Sequence, residues 1–496
     1  MAVSFRNDPN ARGFFSPMRF EANLTDCEVE GEIPDHIAGS FYRTALDRRF
    51  PPLYENDVLY NSDGAVDLFR IRNGHVDFRS RYVRTERFLA ERAARRALFG
   101  RYRNRSTNDP QARNLSLNTA NTTPIYHAGK FFALKEDSPP TLVDPHTLDT
   151  IGEWDFGGRM SAKTFTAHPK IDPVTGEMIA FSYEATGDAS DDLVVWFFDA
   201  QGNITREVWL KVPVVSMMHD FAITEKHIIL PTTAMVTDRE RLARGEVHWA
   251  FDRTVPGYVG ILPRDGEAKD VRWFKGTTRQ CMLVHTTNAR TEGNTVILDA
   301  PVAAGNFNPW FPNVDGSPYD PTGRTPTIRR WTFDLDSSQD GWQEEILFNG
   351  LMATSFTRMD DRYLTQPFRY SFMMLTDKEA PFDETLADQL LGPPINAWYK
   401  FDYATGRIDK FFPGPQYSMT EPQFIPRSAD APEADGYLIG AANDLRDQRT
   451  DIVIVDTQHM ADGPVASIKL PFRLHMQVHG WWVPERDLPF GNDMID

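Results

Sequence analysis

Short apolar or alternating runs recur along the whole chain, and compact polar turns separate them. Examples are Gly39-Ser-Phe-Tyr-Arg, Val66-Asp-Leu-Phe-Arg-Ile, Met178-Ile-Ala-Phe-Ser-Tyr, Leu193-Val-Val-Trp-Phe-Phe, Thr327–Leu335 and Ile452-Val-Ile-Val. Runs this short, rich in β-branched and aromatic residues, predict strands rather than helices. The intervening turns share a chemistry: Arg72-Asn-Gly-His, Asp172-Pro-Val-Thr-Gly, Asp199-Ala-Gln-Gly-Asn and Asp402-Tyr-Ala-Thr-Gly-Arg each join two runs. Their glycines supply the left-handed backbone position that tight hairpins need. Helical pattern is scarce. Residues 88–99 are rich in helix formers and lead into Gly100, which predicts a helix capped there, and a second short helix is expected over Asp383–Leu391 before Gly392-Pro393-Pro394.

The pattern therefore predicts an all-β protein of many antiparallel hairpins in series. No strict repeat is visible, so a propeller and a pair of β-sandwiches both fit at this level. No Pro/Ser-rich linker interrupts the series, and residues 1–496 read as a single domain with long insertions that form a cap.

Composition narrows the function. The chain is 41% hydrophobic and 12% aromatic, enough for a packed core, and its formal net charge of −17 opposes sequence-independent nucleic-acid binding. The two cysteines, Cys27 and Cys281, cannot make a disulfide framework, and a reducing cytoplasm is expected. No run approaches the length of a transmembrane segment, and residues 1–9 lack the apolar core of a secretion signal. There is no Gly-x-Ser-x-Gly elbow, phosphate-binding loop or Cys-x-x-Cys pair.

Histidines are the candidate chemistry. Of twelve, His36, His75, His127, His146 and His459 lie in turns or at loop starts. His168, His219, His285 and His479 lie in richer contexts: Thr164-Phe-Thr-Ala-His-Pro-Lys, Ser216-Met-Met-His-Asp-Phe-Ala-Ile-Thr, Cys281-Met-Leu-Val-His-Thr-Thr-Asn-Ala and Leu474-His-Met-Gln-Val-His-Gly. Their spacing matches no local metal motif, so the residues alone leave open a shared ion or four separately satisfied side chains.

Those contexts, with Glu30-Gly-Glu-Ile-Pro, Asp63-Gly64 and Glu421-Pro-Gln-Phe-Ile-Pro-Arg, occur in an order that resembles the carotenoid and stilbene cleavage oxygenases over nearly the full chain. The resemblance implies a seven-bladed β-propeller with a cap of loops and short helices over its iron-containing face. It also implies Fe(2+) held by His168, His219, His285 and His479. The ligand expected directly before glycine is His479, and His475, four residues earlier, is kept as the less favoured alternative. Family members orient three of the four histidines with glutamates. Glu136 then orients His219 and Glu421 orients His479, while Ser355 stands where the third glutamate is expected. His285 must then use Ser355, a water or a main-chain carbonyl.

Similarity is greatest to the bacterial stilbene-cleaving branch, in which a Tyr and a Lys hold a 4-hydroxyphenyl group. Tyr102 and Lys135 match them. Residue type alone favours Lys135 paired with Glu136 or Asp137 and Tyr102 as packing, and the family match reverses that preference. The implied reaction joins O2 with an aromatic alkene to give two carbonyl products. Apocarotenoids, 4-hydroxyphenylpropenoids of the isoeugenol type and a non-catalytic binding propeller are the alternatives. The oligomeric state, monomer or homodimer, is left open.

Overall fold

The computed structural model describes residues 5, 10–55, 57–323, 325–348, 351–491 and 494. It is mostly β, with seven sheets of four to six strands and one two-stranded ribbon, and the architecture is a seven-bladed β-propeller. The chain packs as two compact units, one of residues 1–135, 139–154 and 372–496, the other of residues 136–138 and 155–371.

Local chemistry sets the hairpins. Arg72 pairs with His75 across a two-residue loop in which Asn73 and Gly74 take φ of 51° and 79°. Two successive left-handed positions match the twist of the flanking strands. Gly176, Gly202 and Gly406 take φ of 72°, 81° and 72° in the other three turns singled out by sequence.

In the second unit, three sheets each open on a short edge strand. Lys170–Ile171 leads to Met178–Tyr183, Asp192–Phe198 and Ile204–Lys211; Ala222–Ile223 leads to His227–Pro231, Tyr258–Pro263 and Arg272–Lys275. Met282–Leu283 and Asn288–Glu292 both pair with Thr295–Ala303, which is followed by Thr327–Asp334 and Gln343–Ile346. Between two of these sheets lies a core of Ile229, Ile261, Phe274, Val296, Leu298, Trp331 and Phe333, all buried. Each such side chain contributes roughly 1.5–3 kcal/mol by leaving water.

In the first unit, residues distant in the chain complete shared sheets. Gly39–Asp47 pairs with Asp63–Arg72 on one side and with Met476–Pro484 on the other. Glu28–Gly31 pairs with Ala466–Lys469. Phe41, Phe69, Phe78, Ile439, Ile452, Ile454 and Ile468 fill the core between these sheets. Ala397–Asp402 pairs with Ile408–Phe411 in the same unit.

The helices differ from the sequence reading in extent. The first spans Glu86–Ala94, begins on the Thr85 side chain, and ends at Arg95 in the left-handed conformation, not at Gly100. The cause is Glu91, whose Oε1 accepts the main-chain N–H groups of Leu98 and Phe99 at 2.8 and 3.1 Å and turns residues 95–99 inward. The second is a 3-10 helix over Glu384–Gln389. Among the described residues no helix is long and apolar enough to cross a membrane.

Candidate metal centre

His168, His219 and His285 flank the short edge strands of their sheets: His168 lies just before Lys170–Ile171, His219 before Ala222–Ile223, and His285 after Met282–Leu283. Edge positions leave these imidazoles outside the strand ladders. Nε2 of His168 lies 3.0 Å from Nε2 of His219, and the ring of His285 lies 5.0 and 4.9 Å from theirs.

His479 lies on the edge strand Met476–Pro484, at an irregularity in its pairing. Arg43 pairs with Gly480 and Ala45 with Gln477, so Val478 and His479 stand opposite Thr44 alone. Such a bulge re-aims the side chains it carries. Arg43, fully buried, donates from Nη1 to the Glu421 carbonyl at 2.6 Å and from Nη2 to the Val478 carbonyl at 2.7 Å. A Cβ at position 480 would meet Arg43 Cδ at 2.9 Å, which explains the glycine after His479.

Ring nitrogens of the four histidines lie within 4.8 Å of one another, a group that could hold a metal ion. The 3.0 Å between Nε2 of His168 and Nε2 of His219 is short enough for both to reach one ion at the roughly 2.0–2.1 Å usual for metal–imidazole bonds. The opposite nitrogens of three rings have oxygen acceptors. His219 Nδ1 lies 2.6 Å from Glu136 Oε2, and His479 Nδ1 lies 3.1 Å from each Glu421 oxygen. His285 Nδ1 lies 3.0 Å from the main-chain carbonyl of Ser355. Of the acceptors left open for His285, the structure therefore selects the backbone, and the Ser355 hydroxyl is not the group it uses. Acceptors at Nδ1 favour the tautomer that leaves the Nε2 lone pair available to a metal.

His475 belongs to a different environment. It is buried between Asp47 and Asp67, with Nε2 3.8 Å from one carboxylate and Nδ1 3.8 Å from the other. Phe20 stacks on its ring at 5.2 Å.

Tyr102 and Lys135 are both buried and touch: Nζ lies 3.4 Å from the phenol oxygen and 5.0 Å from the ring centroid. The turn holding Tyr102 rests on residues that sequence reading missed. Asp57 Oδ1 accepts the Tyr102 N–H at 3.3 Å, and its Oδ2 accepts from the Asn61 amide at 2.6 Å. Asn61 also donates to the Gly100 carbonyl at 2.8 Å and is held by Arg87 at 2.6 Å. Burial pushes the Asp57 carboxyl above the usual carboxylate range, against the pull of Arg48, Asn61 and Arg87. The one signal for such residues is a charged or amide side chain within an apolar stretch, as Arg43 is in Gly39–Asp47.

Residues 15–484 match the family model described as RPE65, retinal pigment epithelial membrane protein. Lignostilbene-alpha,beta-dioxygenase isozyme III of Sphingomonas paucimobilis is 39% identical over 487 residues, covering 98% of this chain and 99% of that protein. Isoeugenol monooxygenase of Pseudomonas putida is 39% identical over 97% of this chain and 99% of its own length. The crystal structure of Pseudomonas brassicacearum lignostilbene dioxygenase superimposes with a TM-score of 0.93 at 40% identity, covering 97% of this chain and 100% of that one.

Proposed function

Because the chain belongs to the RPE65/carotenoid oxygenase family, we propose that it is an Fe(2+)-dependent dioxygenase acting on stilbenes of the 4-hydroxystilbene type. It splits the central C=C bond with O2, one oxygen atom entering each of two aromatic aldehydes. The observation that carries the substrate class is the buried contact of Lys135 with Tyr102. An ammonium and a phenol O–H, out of water, are the groups that recognise a phenol or phenolate oxygen. Electron density released from that para-oxygen into the alkene makes its carbons better partners for activated oxygen.

His168, His219, His285 and His479 would hold the iron through neutral imidazoles, a donor set suited to Fe(2+). When bound, the iron supplies the activation of O2. Glu136, Glu421 and the Ser355 carbonyl keep the rings oriented. Lys135 and Tyr102 bind and orient the aryl end, which is the chain's own contribution to rate. A relative named isoeugenol monooxygenase favours a second reading, because a 4-hydroxyphenylpropenoid presents the same phenol to the same clamp. A cytoplasmic setting accords with Cys27 and Cys281, both free thiols.

The test is anaerobic Fe(2+) loading followed by product analysis with a 4-hydroxystilbene, isoeugenol and an apocarotenal. Two aromatic aldehydes from the stilbene are expected. Rapid polyene cleavage with no stilbene turnover would overturn the substrate class. Lys135→Met is expected to lower kcat/KM for the hydroxystilbene about tenfold or more, the scale of one lost charged hydrogen bond, with iron content unchanged. Loss of iron in that variant would instead assign Lys135 a structural role.

A further inference from the structure

Segments carrying three of the histidines meet at one carboxylate. Asp220 follows His219, Thr286 follows His285, and Lys170 lies two residues past His168. Asp220 Oδ1 stands 2.7 Å from Lys170 Nζ and accepts the Phe221 N–H at 2.8 Å. Its Oδ2 accepts the Thr286 N–H at 2.8 Å and lies 3.0 Å from the Thr286 hydroxyl, which also lies 2.9 Å from the Phe221 carbonyl. The side chain is 3% exposed.

We infer that Asp220 is a positioning residue of the metal centre, which sets the mutual placement of His168, His219 and His285 without touching the ion. This rests on the reading of the four histidines as ligands. Both carboxylate oxygens face donors: an ammonium and two main-chain N–H groups that cannot turn away, with a hydroxyl beside them. Only an acceptor on both sides satisfies them. An amide of the same shape must direct its NH2 at Lys170 and Phe221 or at Thr286, and a buried donor facing a donor forces a shift of one segment. Because each segment ends in a ligand within three residues, the shift moves a ring nitrogen. Ligand sets tolerate only fractions of an ångström before affinity and geometry change.

The probe is Co(2+) added to the apo full-length chain, read by its visible d–d bands and by titration. Asp220→Asn is expected to raise the Co(2+) dissociation constant about tenfold or more and to shift the d–d bands. Adding Lys170→Gln gives the new amide an acceptor and is expected to recover part of both. A role limited to stability would lower Tm and leave the bands of the bound fraction in place. Wild-type bands and affinity in Asp220→Asn would overturn the inference while leaving the metal centre standing. Failure of the wild-type chain to bind Co(2+) would remove the metal reading itself. Should Asp220→Asn not fold, Thr286→Val takes its place, with a smaller band shift expected and an unchanged spectrum counting against the inference.

Discussion

His285 and His479 differ in what accepts from Nδ1, and the difference separates two side chains of similar apparent rank. Glu421 reaches His479 with its carboxylate, whereas position 355 reaches His285 with a main-chain carbonyl that any residue would present. Glu421→Ala is therefore expected to weaken metal affinity about 10–100-fold, the usual effect of losing an outer-shell acceptor. Ser355→Ala is expected to change it by less than about threefold, since neutral side-chain loss leaves the acceptor in place. Competition against a chelator under anaerobic conditions reads both. Equal losses in the two variants would make the serine hydroxyl the working group. The same contrast marks what was legible in the sequence. Histidine and glutamate identities can be read as a pattern, because their side chains do the work. A backbone acceptor leaves no trace in the residue type, and Asp57 and Asp220 are lost among the chain's many acidic residues.

Elements were legible where local chemistry decides them and illegible where a distant side chain does. The hairpin at Asn73-Gly74 follows from two residues that accept positive φ. The end of the helix at Ala94 does not follow from propensity, because Glu91 folds back onto Leu98 and Phe99. The strand Met476–Pro484 shows the same limit: His475 just precedes it and His479 lies within it, both are buried, and only their neighbours separate them. Burial by itself would lower the pKa of His475, but Asp67 and Asp47 outweigh it, with Arg473 opposing, and the net shift is upward from 6.5. Tyr82 also packs on the ring, at 5.8 Å, and shares Asp47 through its hydroxyl. A raised folded-state value means that the imidazolium stabilises the fold fully below pH 6.5 and ceases to do so as pH rises through the folded value. The difference in urea midpoint between the wild-type chain and His475→Gln is expected to be largest below pH 6.5 and to shrink as pH rises above it. A difference independent of pH would mean that the ring acts by packing alone.

At the scale of the whole molecule, the residues alone gave the hairpin series and left propeller and sandwich pair open, and the seven-bladed propeller followed only from the family resemblance, for a physical reason. Blades are completed by strands from opposite ends of the chain, as Glu28–Gly31 joins Ala466–Lys469 and Gly39–Asp47 joins Met476–Pro484, and nothing local records such a pairing. The four histidine contexts carry the same long-range information, since a common ion requires that their segments converge. An ion bound there stabilises only the folded chain, because the unfolded chain holds no preformed site. At one hundred times its dissociation constant it adds about 2.7 kcal/mol. Anaerobic Fe(2+) is accordingly expected to raise the apparent Tm of the apo protein and to slow its thermal inactivation. His285→Ala, which removes one ring and leaves the Ser355 carbonyl without its donor, is expected to abolish most of that increase at the same metal concentration. A chain of this length need not unfold in one step, so the comparison is made at one heating rate and one protein concentration. An increase of the same size in His285→Ala would place the bound ion elsewhere in the molecule.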